Sequence, residues 1–223
     1  MTQLRPGTIV AAGSAADFIP PKPTLAKLRE AALGCRGCHL WMHATQTVFG
    51  EGPRTAEVML VGEQPGDLED RAGHPFVGPA GKLLDTALTQ AGIDRTRVYV
   101  TNSVKHFKFV TIERGRRLHK KPNAAEVRAC NPWLQEEIRL IKPRVIVTLG
   151  ATAAQALLGK QFRVTQDRGK PMPSDLAEAV IATVHPSAVL RAPDDRRDEA
   201  RQEFIADLKR VAAYLSRAHS GRV

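Results

Sequence analysis

Four short runs rich in valine, isoleucine and leucine punctuate the chain, at residues 58–61, 98–101, 145–149 and 180–184. None alternates cleanly between apolar and polar positions, so each predicts a strand covered on both faces, as inside a parallel sheet. Between and after them, apolar residues recur at helical spacing over 80–91, 124–141 and 151–158, and an amphipathic stretch over 198–218 predicts a last helix. A further helical stretch, 25–33, precedes the first strand. This alternation predicts an α/β sandwich with right-handed crossovers.

Each predicted strand runs into a polar cluster: Gly62-Glu63-Gln64-Pro65-Gly66, Asn102-Ser103-Val104-Lys105-His106, Gly150-Ala151-Thr152 and His185-Pro186-Ser187. Open α/β sheets bind ligands beyond the carboxyl ends of their strands. One pocket drawing on all four clusters is therefore expected.

The 223 residues suit one domain, 1–223, with 1–23 expected as a loosely ordered extension. An apolar share of 43% and a charged share of 25% are those of a folded globular chain. The net charge of +10 and isoelectric point near 9.9 are not, and they point to a polyanionic partner, nucleic acid first. No apolar run approaches the roughly 18 residues of a membrane span, and the first residues lack the apolar core of a signal peptide. A cytoplasmic monomer is expected. Three cysteines make no disulfide framework there, and Cys35-Arg36-Gly37-Cys38 follows a helical stretch with no strand before it. That context favours metal binding over thioredoxin-like redox chemistry, with Cys130 as a further ligand.

Residues 102–130 carry His106 and then a dense basic loop, Arg114-Gly115-Arg116-Arg117-Leu118-His119-Lys120-Lys121. The flanking cations disfavour imidazolium, so His119 is expected to be neutral, with a free lone pair. Arg116, Arg117, Lys120 and, near the end of the chain, Arg191 are candidate DNA contacts. Read from the loop alone, His119 is either a nucleophile or base held against DNA, or one more member of a solvated charge run on phosphate.

Taken in order, Gly62 to Asp67 with Gly73 to Gly81, Thr101 to Phe109, and His185-Pro186-Ser187 resemble the active-site motifs of the uracil-DNA glycosylase superfamily. The likeness runs from about Leu33 to Arg191. It is nearest to the family-four enzymes, which carry an iron–sulfur cluster, and among them to the UdgX proteins. Family-four enzymes typically have cysteine where this chain has His106, and a shorter connection from there to Cys130. UdgX carries a similar basic loop ending in histidine, and its hallmark is a covalent bond from that histidine to the deoxyribose left after uracil excision.

The resemblance implies a three-layer α/β/α sandwich around a central four-stranded parallel sheet, uracil-containing DNA as partner and free uracil as product. It implies Phe76 stacking on the flipped base, Asn102 reading its edge and Gln64 touching it. His185 stabilises the departing uracilate, Glu63 stabilises the oxocarbenium ion or orients the attacking group, and His119 attacks the anomeric carbon. A four-iron four-sulfur cluster would sit on Cys35, Cys38, Cys130 and His106, with structural zinc as the alternative and His39 or His43 as rival fourth ligands. Water as nucleophile, giving a conventional turnover glycosylase, and a non-catalytic damage-binding protein are the competing readings.

Overall fold

A computed structural model of the chain describes residues 13–217. In chain order its elements are α1 (Leu25–Ala32), β1 (Val58–Gly62), α2 (Asp67–Ala72), α3 (Pro79–Ala91), β2 (Val98–Asn102), β3 (Phe109–Thr111) and β4 (Arg117–His119). There follow α4 (Ala124–Ile141), β5 (Val145–Leu149), α5 (Ala151–Leu158), α6 (Val164–Asp167), β6 (Pro171–Ser174), β7 (Ala177–Thr183), α7 (Pro186–Leu190) and α8 (Arg197–Arg217).

The four expected strands form a parallel sheet in the order β2-β1-β5-β7. The structure corrects the count: β6 adds a fifth strand, antiparallel to β7 and at the edge. Pro171 and Pro173 hid it, because proline cannot donate to a ladder and is confined to edge strands. The strands are apolar on both faces because both are covered. Val58, Leu60, Val98, Val100, Val145 and Val147 pack with α3 and α8, while Met59, Val61, Tyr99, Ile146 and Val180 pack with α4 and α5. The result is three layers.

A third apolar cluster lies outside the sandwich and joins Ala15, Leu28, Ala32, Cys35 and Leu40 to Phe49, Cys130 and Trp133. Of the expected loose extension, residues 1–12 lie outside the described residues. Residues 13–23 include a short 3-10 helix, Ala15–Phe18, in which Ala15 is fully buried. Among the described residues no helix is long and apolar enough to cross a membrane.

The basic loop is an antiparallel hairpin rather than an irregular run. Val110 faces Leu118 and Phe109 faces His119 in register, with Arg114 and Gly115 at positive φ in the tip. Asn123 opens α4 with a capping box: its side chain accepts from Glu126 N at 2.9 Å, and Glu126 Oε2 accepts from Asn123 N at 2.6 Å. Asn123→Ala should cost about 1 kcal/mol. A fall in the urea midpoint at unchanged slope is the expected result, and an unchanged midpoint would show that the cap carries nothing.

Candidate active site at the carboxyl ends of the strands

From β1 the chain crosses to β2 on one side, and from β5 it runs to β7 on the other. The crevice between β1 and β5 is thus where the direction of winding reverses, the usual ligand position in such sheets. Gly62, Asn102, Leu149 and Thr183 end the four parallel strands along that edge.

Gly62 and Asn102 are register partners. A Cβ on Gly62 would overlap Asn102 Oδ1 and crowd the Phe76 ring, so glycine here is what lets an amide and an aromatic ring share the floor of the pocket. Asn102 is 3% exposed, yet its side-chain amide has no hydrogen-bond partner among the described residues. Phe76 sits at φ 58 and stacks on the His185 ring at 6.3 Å between centroids. A Cβ on Gly81 would strike the Phe76 carbonyl, so the turn that presents this ring depends on a second glycine. The amide of Gly78, at the start of α3, is not open to a phosphate: it donates to Glu69 Oε1 at 2.8 Å.

Glu63 follows β1. Thr152, in the first turn of α5, donates its hydroxyl to Oε2, and His119 Nε2 lies 3.4 Å from Oε1. The hairpin that carries His119 is held from two sides. Gln64 donates its amide to the carbonyls of Lys108 (3.2 Å) and Lys120 (3.0 Å) and accepts from Lys108 N at 3.1 Å. Of the backbone or side-chain contacts expected from Gln64 near the base, the side chain is therefore committed to the hairpin.

Arg117, expected on DNA, is also turned inward. It pairs with Asp67 and, at 2.6 Å, with the fully buried Asp70, and it lies over the rings of Phe107 and Phe109. Two carboxylates and two ring faces hold it better than solvent would. Arg116, Lys120 and Arg191 are exposed, with no side-chain partner among the described residues.

The three site histidines differ in their surroundings. The Ser187 backbone N–H donates to His185 Nδ1 at 3.2 Å, which places the ring proton on Nε2. Burial, followed by the charges of Arg191 and His119, pushes the His185 pKa down to about 4. His119 is half-exposed, and its pKa is also lowered. The main cause is burial; Glu63 opposes it, and Arg191, by less, adds to it, while the adjoining basic residues are not what acts.

His106 is buried. Thr47 donates its hydroxyl to the Ala32 carbonyl, so its oxygen accepts from His106 Nε2–H at 3.0 Å. That leaves Nδ1 as a lone pair with no partner among the described residues, in a ring whose pKa burial lowers to about 4.

The three cysteines are free and gather in the third apolar cluster, where the neighbouring sulfurs disfavour the thiolates of Cys38 and Cys130. Trp133 Nε1 donates to Cys35 Sγ at 3.3 Å, and Lys105 N donates to Cys130 Sγ at 3.2 Å. Burial pushes the Cys130 thiol up to about 12. His39 is turned to Glu126, at 3.3 Å. Among the described residues no group of three or more histidine, cysteine or acidic side chains is assembled to hold a metal ion.

Residues 49–209 match the family model described as "Uracil DNA glycosylase superfamily". The chain belongs to the uracil-DNA glycosylase superfamily. Its relatives include a type-4 uracil-DNA glycosylase of Thermotoga maritima, 36% identical over 82% of this chain and 90% of the relative. The type-4 enzyme of Pyrobaculum aerophilum is 39% identical over 82% and 91%, and that of Sulfurisphaera tokodaii 37% identical over 78% and 79%.

Within this superfamily member, Thr152, Ser187, Gly62 and Gly81 shape the pocket; the strand-end clusters and motifs of the sequence contain all four, but assign none of them a role of its own.

The state of His185 has a pH signature. Its folded pKa lies below the value of about 6.5 for an unfolded histidine, so between the two the unfolded chain binds the extra proton. Its contribution to stability is complete above about pH 6.5 and is lost as pH falls towards 4. Nitrogen NMR at pH 6 should show a neutral His185 ring protonated at Nε2, and a cationic ring at that pH would contradict this assignment.

Proposed function

We propose that this protein excises uracil from DNA and is then captured by the sugar it exposes, through His119. The observation that carries the reading is the approach of the His119 Nε2 to within 3.4 Å of Glu63 Oε1, on a hairpin fastened over the pocket. A solvated phosphate contact would need neither the carboxylate nor the clamp. Superfamily membership and the type-4 relatives support uracil excision as the underlying activity.

In this reaction the target nucleotide leaves the stack, at a cost of a few kcal/mol. The base lies on Phe76 and meets the open amide of Asn102, which can accept from uracil N3–H while donating to O4. Cytosine reverses the pattern at both positions, N3 accepting and the 4-amino group donating, so an amide held in this orientation refuses it. Cleavage of the N-glycosidic bond moves its electron pair onto uracil and leaves an oxocarbenium ion. Neutral His185 donates Nε2–H toward the uracilate, and Glu63 stabilises the cation from its other side. His119 then gives its Nε2 lone pair to C1′, forming a carbon–nitrogen bond and an imidazolium, whose Nδ1 proton is released to solvent or to uracilate. Free uracil departs. Arg116, Lys120 and Arg191 are the cations available for the DNA backbone.

Cys35, Cys38, Cys130 and the Nδ1 of His106 would hold an iron–sulfur cluster. The orphaned nitrogen and the N–H bonds already given to two of the sulfurs fit ligand atoms. Bound there, the cluster would serve structurally, tying the N-terminal segment to α4.

On a denaturing gel after boiling in detergent, a uracil-containing single strand should be retarded by the protein, and a thymine control should not. His119→Ser should lose that band and release abasic DNA over many turnovers. Strand breakage after alkali without a retained band would identify a conventional glycosylase, and a retained band with His119→Ser would exclude His119 as the nucleophile. The purified protein should contain about four iron and four sulfide per chain. His106→Ala should lose them, while His39→Ala and His43→Ala keep them; the opposite pattern would move the fourth ligand.

A further inference from the structure

Lys105 and Glu137 form an ion pair at 2.6 Å, and both side chains are 0% exposed. All three ammonium protons of Lys105 are used: one on Glu137 Oε2, one on Thr101 Oγ1 at 2.6 Å, and one on the Asn102 carbonyl at 2.7 Å. Glu137 also accepts from Gly50 N (3.1 Å), the Tyr99 hydroxyl (2.9 Å) and the Thr101 hydroxyl (3.0 Å). Such a pair is weak as a source of stability, because apolar residues of similar volume often do as well. Its geometry points to another use.

The amide of Asn102 has no side-chain partner, so its aim is set by its backbone. That backbone is held on two flanks. Ser103 gives both its N–H (2.8 Å) and its hydroxyl (3.1 Å) to the Gly62 carbonyl, and Lys105 Nζ takes the Asn102 carbonyl. Lys105 reaches the other way through its own N–H, which goes to Cys130 Sγ. One residue thus bonds the strand end that presents Asn102, the helix α4 through Glu137, and a sulfur of the cysteine cluster.

We infer that the buried Lys105–Glu137 pair is a positioning device for base recognition, fixing the Asn102 peptide so that its amide meets uracil and tying that aim to the cysteine-bearing segment. Neither residue touches the base. The inference rests on the reading above that the protein excises uracil with Asn102 gripping it.

The test is a double-mutant cycle. Lys105→Met alone would strand a buried carboxylate and risks unfolding, so both partners are replaced together, Lys105→Met with Glu137→Leu. Thr101→Val, which removes one acceptor of Lys105 and one donor to Glu137 while leaving the pair, is the second variant. Single-turnover excision from a uracil oligonucleotide, inhibition by free uracil and affinity for a thymine oligonucleotide are measured for each, with and without Asn102→Ala.

The paired replacement should leave affinity for thymine DNA unchanged, lower excision on the order of 100-fold, the cost of misplacing a group by about 1 Å, and weaken inhibition by uracil. Thr101→Val should act in the same direction by less. In the Asn102→Ala background these losses should largely vanish, because the pair then has nothing left to aim. An effect of equal size with and without Asn102 would mean a general structural role and would overturn the inference, as would unaltered excision and uracil inhibition. If the paired replacement does not fold, the Thr101→Val cycle decides by the same criterion. Wild-type protein that excises no uracil would sink the underlying reading, and the positioning role with it. Excision by the wild type with additive variants would sink the positioning role alone.

Discussion

Lys105 and Glu137 meet where no water reaches, and neither charge can be left alone there. Removing one partner of such a pair costs on the order of 3–5 kcal/mol, because the survivor has no solvent and no counterion. The constraint therefore spreads to every group that completes the pair's hydrogen bonds. The Gly50 amide fixes the loop before β1, Tyr99 and Thr101 fix the register of β2 against α4, and the Asn102 carbonyl fixes the last residue of the strand. Because α4 carries Cys130 and Trp133, and Trp133 bonds Cys35, the N-terminal segment inherits the same frame. A pocket wall, a helix and a cysteine cluster are thus held as one body.

The end of β1 builds the rest of the pocket from three consecutive residues, each committed in a different direction. Gly62 has no side chain, and Asn102 and Phe76 occupy the space. Glu63 faces Thr152 across the switch point and His119 above it. Gln64 turns away and staples the hairpin through three hydrogen bonds to main-chain atoms. Without that staple and the Arg117 contacts beneath, a hairpin with exposed Val110, Ile112 and Leu118 would have little to hold it in place. His119 would then lose the precise register that puts it beside a carboxylate.

Much of this was legible in the sequence because it rests on local periodicity. The helices predicted at 124–141 and 151–158 end where α4 and α5 end, and the four apolar runs are the four parallel strands. The strand ends announced the pocket, since small and polar residues after buried strands have few other uses. What was not legible depends on tertiary partners. A lysine two positions before a phenylalanine reads as surface until Glu137, in a separate helix, is brought to it. Arg117 reads as one more cation of a basic run until Asp67 and Asp70 approach, and Gln64 reads as a base contact until the hairpin folds across it. Two prolines hid β6 for a different reason: edge strands need not look like strands.

The same partners bear on why a histidine rather than water would finish the reaction. An oxocarbenium ion reacts with whichever nucleophile is already in line, and a fixed neighbouring group can reach effective molarities of about 10⁵ M or more. Water must find its place, whereas, on the function proposed, an imidazole on a doubly clamped hairpin would already be in it. Two conditions must then hold together. The ring must be neutral to attack, which burial and Arg191 favour, and the cation formed by attack must be tolerated, which Glu63 favours. Placing His119 between Arg191 and Glu63 meets both, because the first opposes charge before the bond forms and the second offsets it afterwards. Expelling the ring again would regenerate the oxocarbenium ion beside the same held nucleophile, so recapture would outrun escape. On the function proposed, capture would follow from the rigidity of the hairpin as much as from the identity of the residue.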